Sequence, residues 1–157
     1  MEKNESYATE VWLISGLFNS LPGILTLDGE TLLFTAIGTG TYWESGLKKI
    51  EKKSGMTNFS SLLNRGKSAQ LFCIQLSEIQ KVTFPFIYFS AGAHITFNDK
   101  TYRLSFIEPN NSKIPIFHKG QYDRVVKRTV EIIQDISHAR IVGKKWKALL
   151  TPPQKTH

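Results

Sequence analysis

The chain has 157 residues, a hydrophobic fraction of 41% and a formal charge of +7. That length and apolar content fill one core, so a single domain over residues 1–157 is expected, with its body at about residues 10–150. No stretch approaches the roughly 20 apolar residues of a spanning helix, and the start, Met1 to Ser6, is polar rather than signal-like, which points to a cytoplasmic protein.

The first strand pattern runs from Glu10 to Gly16, and its apolar content suggests burial on both faces. Asn19-Ser20-Leu21-Pro22-Gly23 reads as a turn. A hairpin follows, with Ile24 to Leu27 and Thr31 to Thr35 flanking Asp28-Gly29, a dipeptide that tolerates the positive φ angles of a tight turn. Gly38-Thr39-Gly40 lacks the further glycines or the Gly-Lys-Ser/Thr ending of a phosphate loop and reads as a turn. The segment from about 40 to 68 has no strand alternation, contains one or two short helices, and is an insertion between two strands. Insertions on rigid scaffolds often carry binding, so this one is a candidate site.

Strand patterns resume at Ala69 to Leu76, Ile79 to Phe84, Ile87 to Ser90 and Ala93 to Phe97, then at Thr101 to Ile107 across Asn98-Asp99-Lys100. Pro85 lacks a ladder donor and marks an edge, a bulge or a break. From Gln121 an amphipathic helix is expected: Val125, Val126, Val130, Ile133, Ile136 and Ala139 share one arc, and Arg140 falling inside that arc suggests that the stripe ends there. A basic and apolar tail at about 143–157 completes the chain.

These features resemble the pleckstrin-homology-like superfamily, in particular its GRAM-like and bacterial members. The likeness lies in Pro22 to Leu27 turning through Asp28-Gly29 to Leu32-Leu33-Phe34, in Ile74 to Val82, in His94 to Phe97, in Tyr102 to Phe106 and in the closing helix. It implies a mainly β fold with a C-terminal helix: a bent antiparallel barrel or sandwich of about seven strands, capped by that helix. It also implies an adaptor that binds membrane lipids or protein segments without catalysis or cofactor. Phe18 to Pro22 holds no basic residue and Asp28-Gly29-Glu30 is acidic, so the resemblance carries no lipid-binding residue onto this chain.

The charge is clustered. Residues 44–67 hold six basic and two acidic residues, and residues 121–157 hold eight basic and three acidic ones, leaving the remainder at −2. Lys48, Lys49, Lys52 and Lys53, together with Lys144, Lys145, Trp146 and Lys147, are candidate contacts for an anionic membrane at its inner face or for another polyanion. Nucleic acid is the alternative, with Tyr42, Trp43 and Phe59 as stacking groups. Phe84, Phe86, Tyr88 and Phe89 form a candidate interface for a protein partner or a second copy of the chain through an edge strand.

The only cysteine, Cys73, excludes an internal disulfide and reads as a buried thiol, and the histidines lack paired metal-ligand spacing. An enzyme would need Cys73 and His94 on neighbouring strands, with Asp99 or Asp123 orienting the imidazole. The expectation is therefore a non-catalytic binding module.

Overall fold

A computed structural model describes residues 6–15, 19–85, 91–107 and 138–151. Among the described residues seven strands form one antiparallel sheet: β1 (Tyr7–Ser15), β2 (Asn19–Asp28), β3 (Thr31–Ala36), β4 (Ala69–Gln75), β5 (Lys81–Thr83), β6 (Gly92–Phe97) and β7 (Lys100–Ser105). Their order is β4-β3-β2-β1-β7-β6-β5, so β1 sits in the middle and pairs on one side with β2 and on the other with β7. Among the described residues the sheet does not close by strand pairing. It folds back instead through aromatic side chains: the Phe72 ring of β4 lies 5.0 Å from Phe97 of β6 and 5.3 Å from Tyr102 of β7. The result is a mainly antiparallel β fold of sandwich or barrel-like form, as expected.

Alternation explains most of the burial. Val11 and Leu13 of β1, Leu25 and Leu27 of β2, Leu32 and Phe34 of β3, and Ile95 and Phe97 of β6 all face inward at two-residue spacing. The outer face of β1 is only partly covered, since Trp12 and Ile14 are half-buried. Between Phe34 and Thr35 the register with β4 shifts, because Thr35 pairs with Gln70 and Phe34 with Phe72. The extra residue, Leu71, lets Leu71 and Phe72 both point into the core, and the bulge turns Cys73 outward. Cys73 is exposed, which corrects its reading as a buried thiol.

Three turns also differ from the sequence reading. Asn19 to Gly23 is not a turn but the first half of β2. Pro22 is tolerated there because its carbonyl accepts from Ile37 N–H at 2.9 Å, placing its missing donor toward the point where β3 ends. Gly23 is required for a different reason: a Cβ there would stand 2.4 Å from Phe34 Cζ. Asp28 pairs with Thr31, so the hairpin loop is Gly29-Glu30, with Gly29 at φ 59° in the first loop position. At the second hairpin Phe97 pairs with Lys100, and both Asn98 (φ 50°) and Asp99 (φ 59°) are left-handed, as a two-residue primed turn demands.

The insertion is helical, as expected: α1 covers Glu44–Ser54 and α2 covers Phe59–Asn64. Leu47 and Ile50 turn inward from α1, and Gly55 ends it at φ 73°. Asn58 precedes α2 without a side-chain capping bond. The Glu51 carboxylate substitutes for a cap, accepting from Ser60 N–H at 2.8 Å and from Ser60 Oγ at 2.9 Å. These bonds hold the Glu51 pKa below the usual carboxylate value. The stabilisation is therefore present above the ordinary carboxylate pKa and is lost as pH falls through the lowered one. Glu51→Gln should raise amide exchange at Phe59 to Leu63 near neutral pH, and the difference from the parent should vanish in acid.

Residues 138–150 form helix α3. Its buried positions Ala139, Val142, Trp146 and Leu150 continue one stripe through the buried Gly143, so the stripe does not end at Arg140 and residues 143–150 are helix rather than tail. The expected helix start near Gln121 and the expected strand at Ile87 to Ser90 lie outside the described residues. Among the described residues no helix is long and apolar enough to cross a membrane.

Candidate functional site

A cleft of about 410 Å³ opens where the end of β1, the start of β7 and helix α1 meet. Gly40, at φ 56°, starts the approach of the chain to it: a Cβ there would lie 2.1 Å from the Ser20 carbonyl oxygen, so only glycine fits. Thr41 then donates its N–H to Ser20 O at 3.1 Å, while its hydroxyl accepts from Ser20 N–H at 2.9 Å. These bonds fix Tyr42 and Trp43 directly ahead of α1. Gly46 in the first turn of α1 admits the Tyr42 ring, whose Cδ1 would stand 2.9 Å from any Cβ at that position.

The cleft wall from α1 presents Lys49 and Lys53, and the wall from β7 presents Arg103. Among the described residues its lining includes Ser15, Ser45 and Thr101 but no acidic side chain. Lys53 Nζ donates to Thr101 O at 2.7 Å and lies 4.6 Å from the Tyr102 ring centroid. Lys100 Nζ donates in return to Lys53 O, close to the C-terminal end of α1. Desolvation first, and the charge of Lys100 second, lower the Lys53 pKa. Tyr42 is 8% exposed. Burial raises its pKa against the weaker pull of the Ser15 hydroxyl, and among the described residues its own hydroxyl makes no hydrogen bond of ordinary geometry.

Trp43 stands at the rim, 83% exposed, the most exposed of the large hydrophobic side chains described. Of the three aromatic groups considered for base stacking, Tyr42 and Phe59 are buried and only Trp43 is presented. Lys48 pairs with Glu44 at 3.5 Å on the outer face of α1, and Lys52 is exposed.

The second basic cluster does not join the first. Trp146 is fully buried, donates Nε1–H to Thr9 Oγ1 at 2.7 Å and packs 4.9 Å from the Tyr7 ring, so it is a core residue and not a membrane contact. Lys145 Nζ rests 4.7 Å from the centroid of that same tyrosine. Lys144 and Lys147 are exposed. These groups sit at the Tyr7 end of β1, whereas the cleft takes Leu13 to Ser15 from the other end. Four residue steps, from Thr9 to Leu13, to eight, from Tyr7 to Ser15, at roughly 3.3 Å each, put about 13–26 Å of strand between them.

Phe84 is half-buried against the core, while Phe86, Tyr88 and Phe89 lie outside the described residues. Cys73 is exposed, turned outward from β4 by the bulge, while His94 is half-buried on β6, a strand that does not pair with β4. Among the described residues no group of three metal-ligating side chains occurs.

Sequence reasoning found α1 and its lysines through their charge. It missed Arg103, Thr101 and Ser15, which join the cleft only through the antiparallel register that pairs Ile14 with Arg103. No protein-family model, no curated protein and no solved structure matches this chain.

Proposed function

We propose that the protein is a non-catalytic binding module of the pleckstrin-homology-like, GRAM-like kind, and that it associates peripherally with an anionic membrane surface through the α1 end of its sheet. The observation that carries this reading is a concave wall of Lys49, Lys53 and Arg103, with no acidic side chain among its described lining residues, beside an 83% exposed Trp43. An indole next to several cations is the combination that seats shallowly among anionic headgroups. The strand order, with a central β1 bridging two halves and a helix after β7, supports the family resemblance.

The α1 end is favoured over the α3 end because the tryptophan of α3 is committed to the core. Each cation near an anionic surface contributes about 1 kcal/mol, so Lys49, Lys52, Lys53 and Arg103 together supply roughly 4 kcal/mol, a thousandfold in partitioning. That attraction weakens with salt because exposed charges are screened within about 8–10 Å at physiological ionic strength.

Co-sedimentation with liposomes tests the reading. Binding to anionic vesicles at low salt, falling severalfold at physiological salt and absent on neutral vesicles, is the expected result. A mixed nucleic-acid competitor that strips the protein from vesicles at stoichiometric amounts would point to a nucleic-acid partner instead. Absence of binding to either kind of vesicle would overturn the proposal and turn attention to a protein partner at Phe84 and the strand edge beside it.

A further inference from the structure

The cleft differs from a flat basic patch in shape and composition. Its volume of about 410 Å³ lies toward the small end of the range for ligand pockets, roughly 300–1,000 Å³, and has room for a phosphate together with part of what it is attached to. Among the described residues three cations line it, contributed by two separate elements, α1 and β7. Ser45 and Gly46, from the first turn of α1, line it as well. Trp43, the residue that caps this eleven-residue helix, offers no side-chain acceptor, so the first-turn N–H groups lack side-chain caps at the cleft edge. Glu44, the nearby first-turn acid, is engaged by Lys48 on the outer surface.

Charge and donor geometry then select among anions. A phosphodiester headgroup carries one negative charge and two non-bridging oxygens, and a carboxylate likewise carries one charge. A phosphomonoester carries about −1.5 to −2 near neutral pH and offers three acceptor oxygens. The last brings the most charge and the most acceptor oxygens to a site lined by the first turn of α1, its lysines and the β7 guanidinium. Arg is suited to such an oxygen pair by its planar fork, and Lys by its point charge.

We infer that the α1–β7 cleft is a binding site for a single phosphomonoester group, held between Lys49 and Lys53 of α1, Arg103 of β7 and the N–H groups of Ser45 and Gly46. The inference rests on the α1 end being the anion-binding end, and it names the chemistry recognised there. The group has two sources: the headgroup of a lipid such as phosphatidic acid, or a small soluble phosphate ester. Trp43 at the rim would lie beside whatever the phosphate is attached to, against acyl-chain carbons in one case and in solvent in the other.

The full chain would be tested in two arms. In the first, glycerol 3-phosphate is titrated while the backbone amide shifts of Ser45 and Gly46 are followed, with sodium acetate as the monoanion control. In the second, binding to vesicles containing phosphatidic acid is compared with binding to vesicles containing phosphatidylglycerol at matched surface charge. A saturable shift at Ser45 and Gly46 with glycerol 3-phosphate and none with acetate is expected, together with a preference of about tenfold for phosphatidic acid if the source is a lipid.

Lys49→Gln and Arg103→Gln should each bring that preference close to one. Lys52→Gln, outside the cleft, should weaken both kinds of vesicle equally and leave the ratio unchanged. A shift at Ser45 and Gly46 without vesicle binding would uphold the phosphomonoester site with a soluble ester as ligand, while removing the membrane reading. Equal binding to both kinds of vesicle, with no amide shift from glycerol 3-phosphate, would overturn the inference and leave membrane association standing.

Discussion

Trp146→Ala should destabilise the protein by roughly 3–5 kcal/mol in urea unfolding, the range for removing a large aromatic side chain from a core. Trp146 is fully buried, stacks at a tilt against Tyr7 and donates its indole N–H to Thr9 Oγ1, so it is the point at which α3 engages β1. Two separate losses follow from the substitution. A cavity opens between α3 and the sheet, and the β1 hydroxyl loses its indole donor. Trp146→Phe keeps most of the packing and loses the hydrogen bond, with an expected cost of about 1–2 kcal/mol. Ile141→Ala, on a side chain 68% exposed on the same helix, should change stability by less than about 0.5 kcal/mol. If Trp146→Ala costs no more than Ile141→Ala, α3 does not contribute to the folded core in the way its packing indicates.

How much of this was legible in the sequence depends on which interactions set each feature. Hairpin positions were legible, because Asn98-Asp99 and the Gly29 region advertise positive φ through residue type alone. The extent of β2 was not, since Asn, Ser, Pro and Gly at its start carry turn propensity that pairing overrode: β1 matches Leu13 to Leu21 and Ser15 to Asn19. Cys73 was misread because strict alternation cannot anticipate a bulge. One extra residue at Leu71 reverses the face of everything after it until the strand ends. The fate of Trp146 turned on Arg140: its place inside the apolar arc suggested an end, yet Arg140 is exposed, and the buried Gly143 lets the stripe run on to Leu150.

The cleft shows the same division. Its α1 half was written in a local charge run, whereas its β7 half is about fifty residues away in sequence and arrives by strand register. The aromatic role also divided by context, for Tyr42 and Trp43 are adjacent in the chain but one is 8% and the other 83% exposed. Tyr42 is drawn inward by Gly46, which leaves room for its ring, and Trp43 is turned outward at the start of α1. Composition could nominate both and distinguish neither.

Charge reversal separates the two basic clusters most strongly. Lys49→Glu with Lys52→Glu replaces two attractive charges by two repulsive ones on exposed positions of α1, a change of four charge units at a surface where each is worth about 1 kcal/mol. Binding to anionic vesicles at low salt should fall about a thousandfold, below detection by co-sedimentation. Neither side chain supports the core, whose α1 contacts are Leu47 and Ile50, so circular dichroism and the unfolding midpoint should stay near those of the parent. Lys144→Glu with Lys147→Glu makes the same change in net charge at the α3 end, about 13–26 Å of strand away, beyond the roughly 8–10 Å reach of screened charge at physiological ionic strength. At that ionic strength its effect should stay within a few-fold. Because the two double variants are identical in overall charge, equal losses from both would mean that net charge alone governs the attraction and that the α1 end holds no privileged surface. A loss confined to the α3 variant would relocate the contact to that helix.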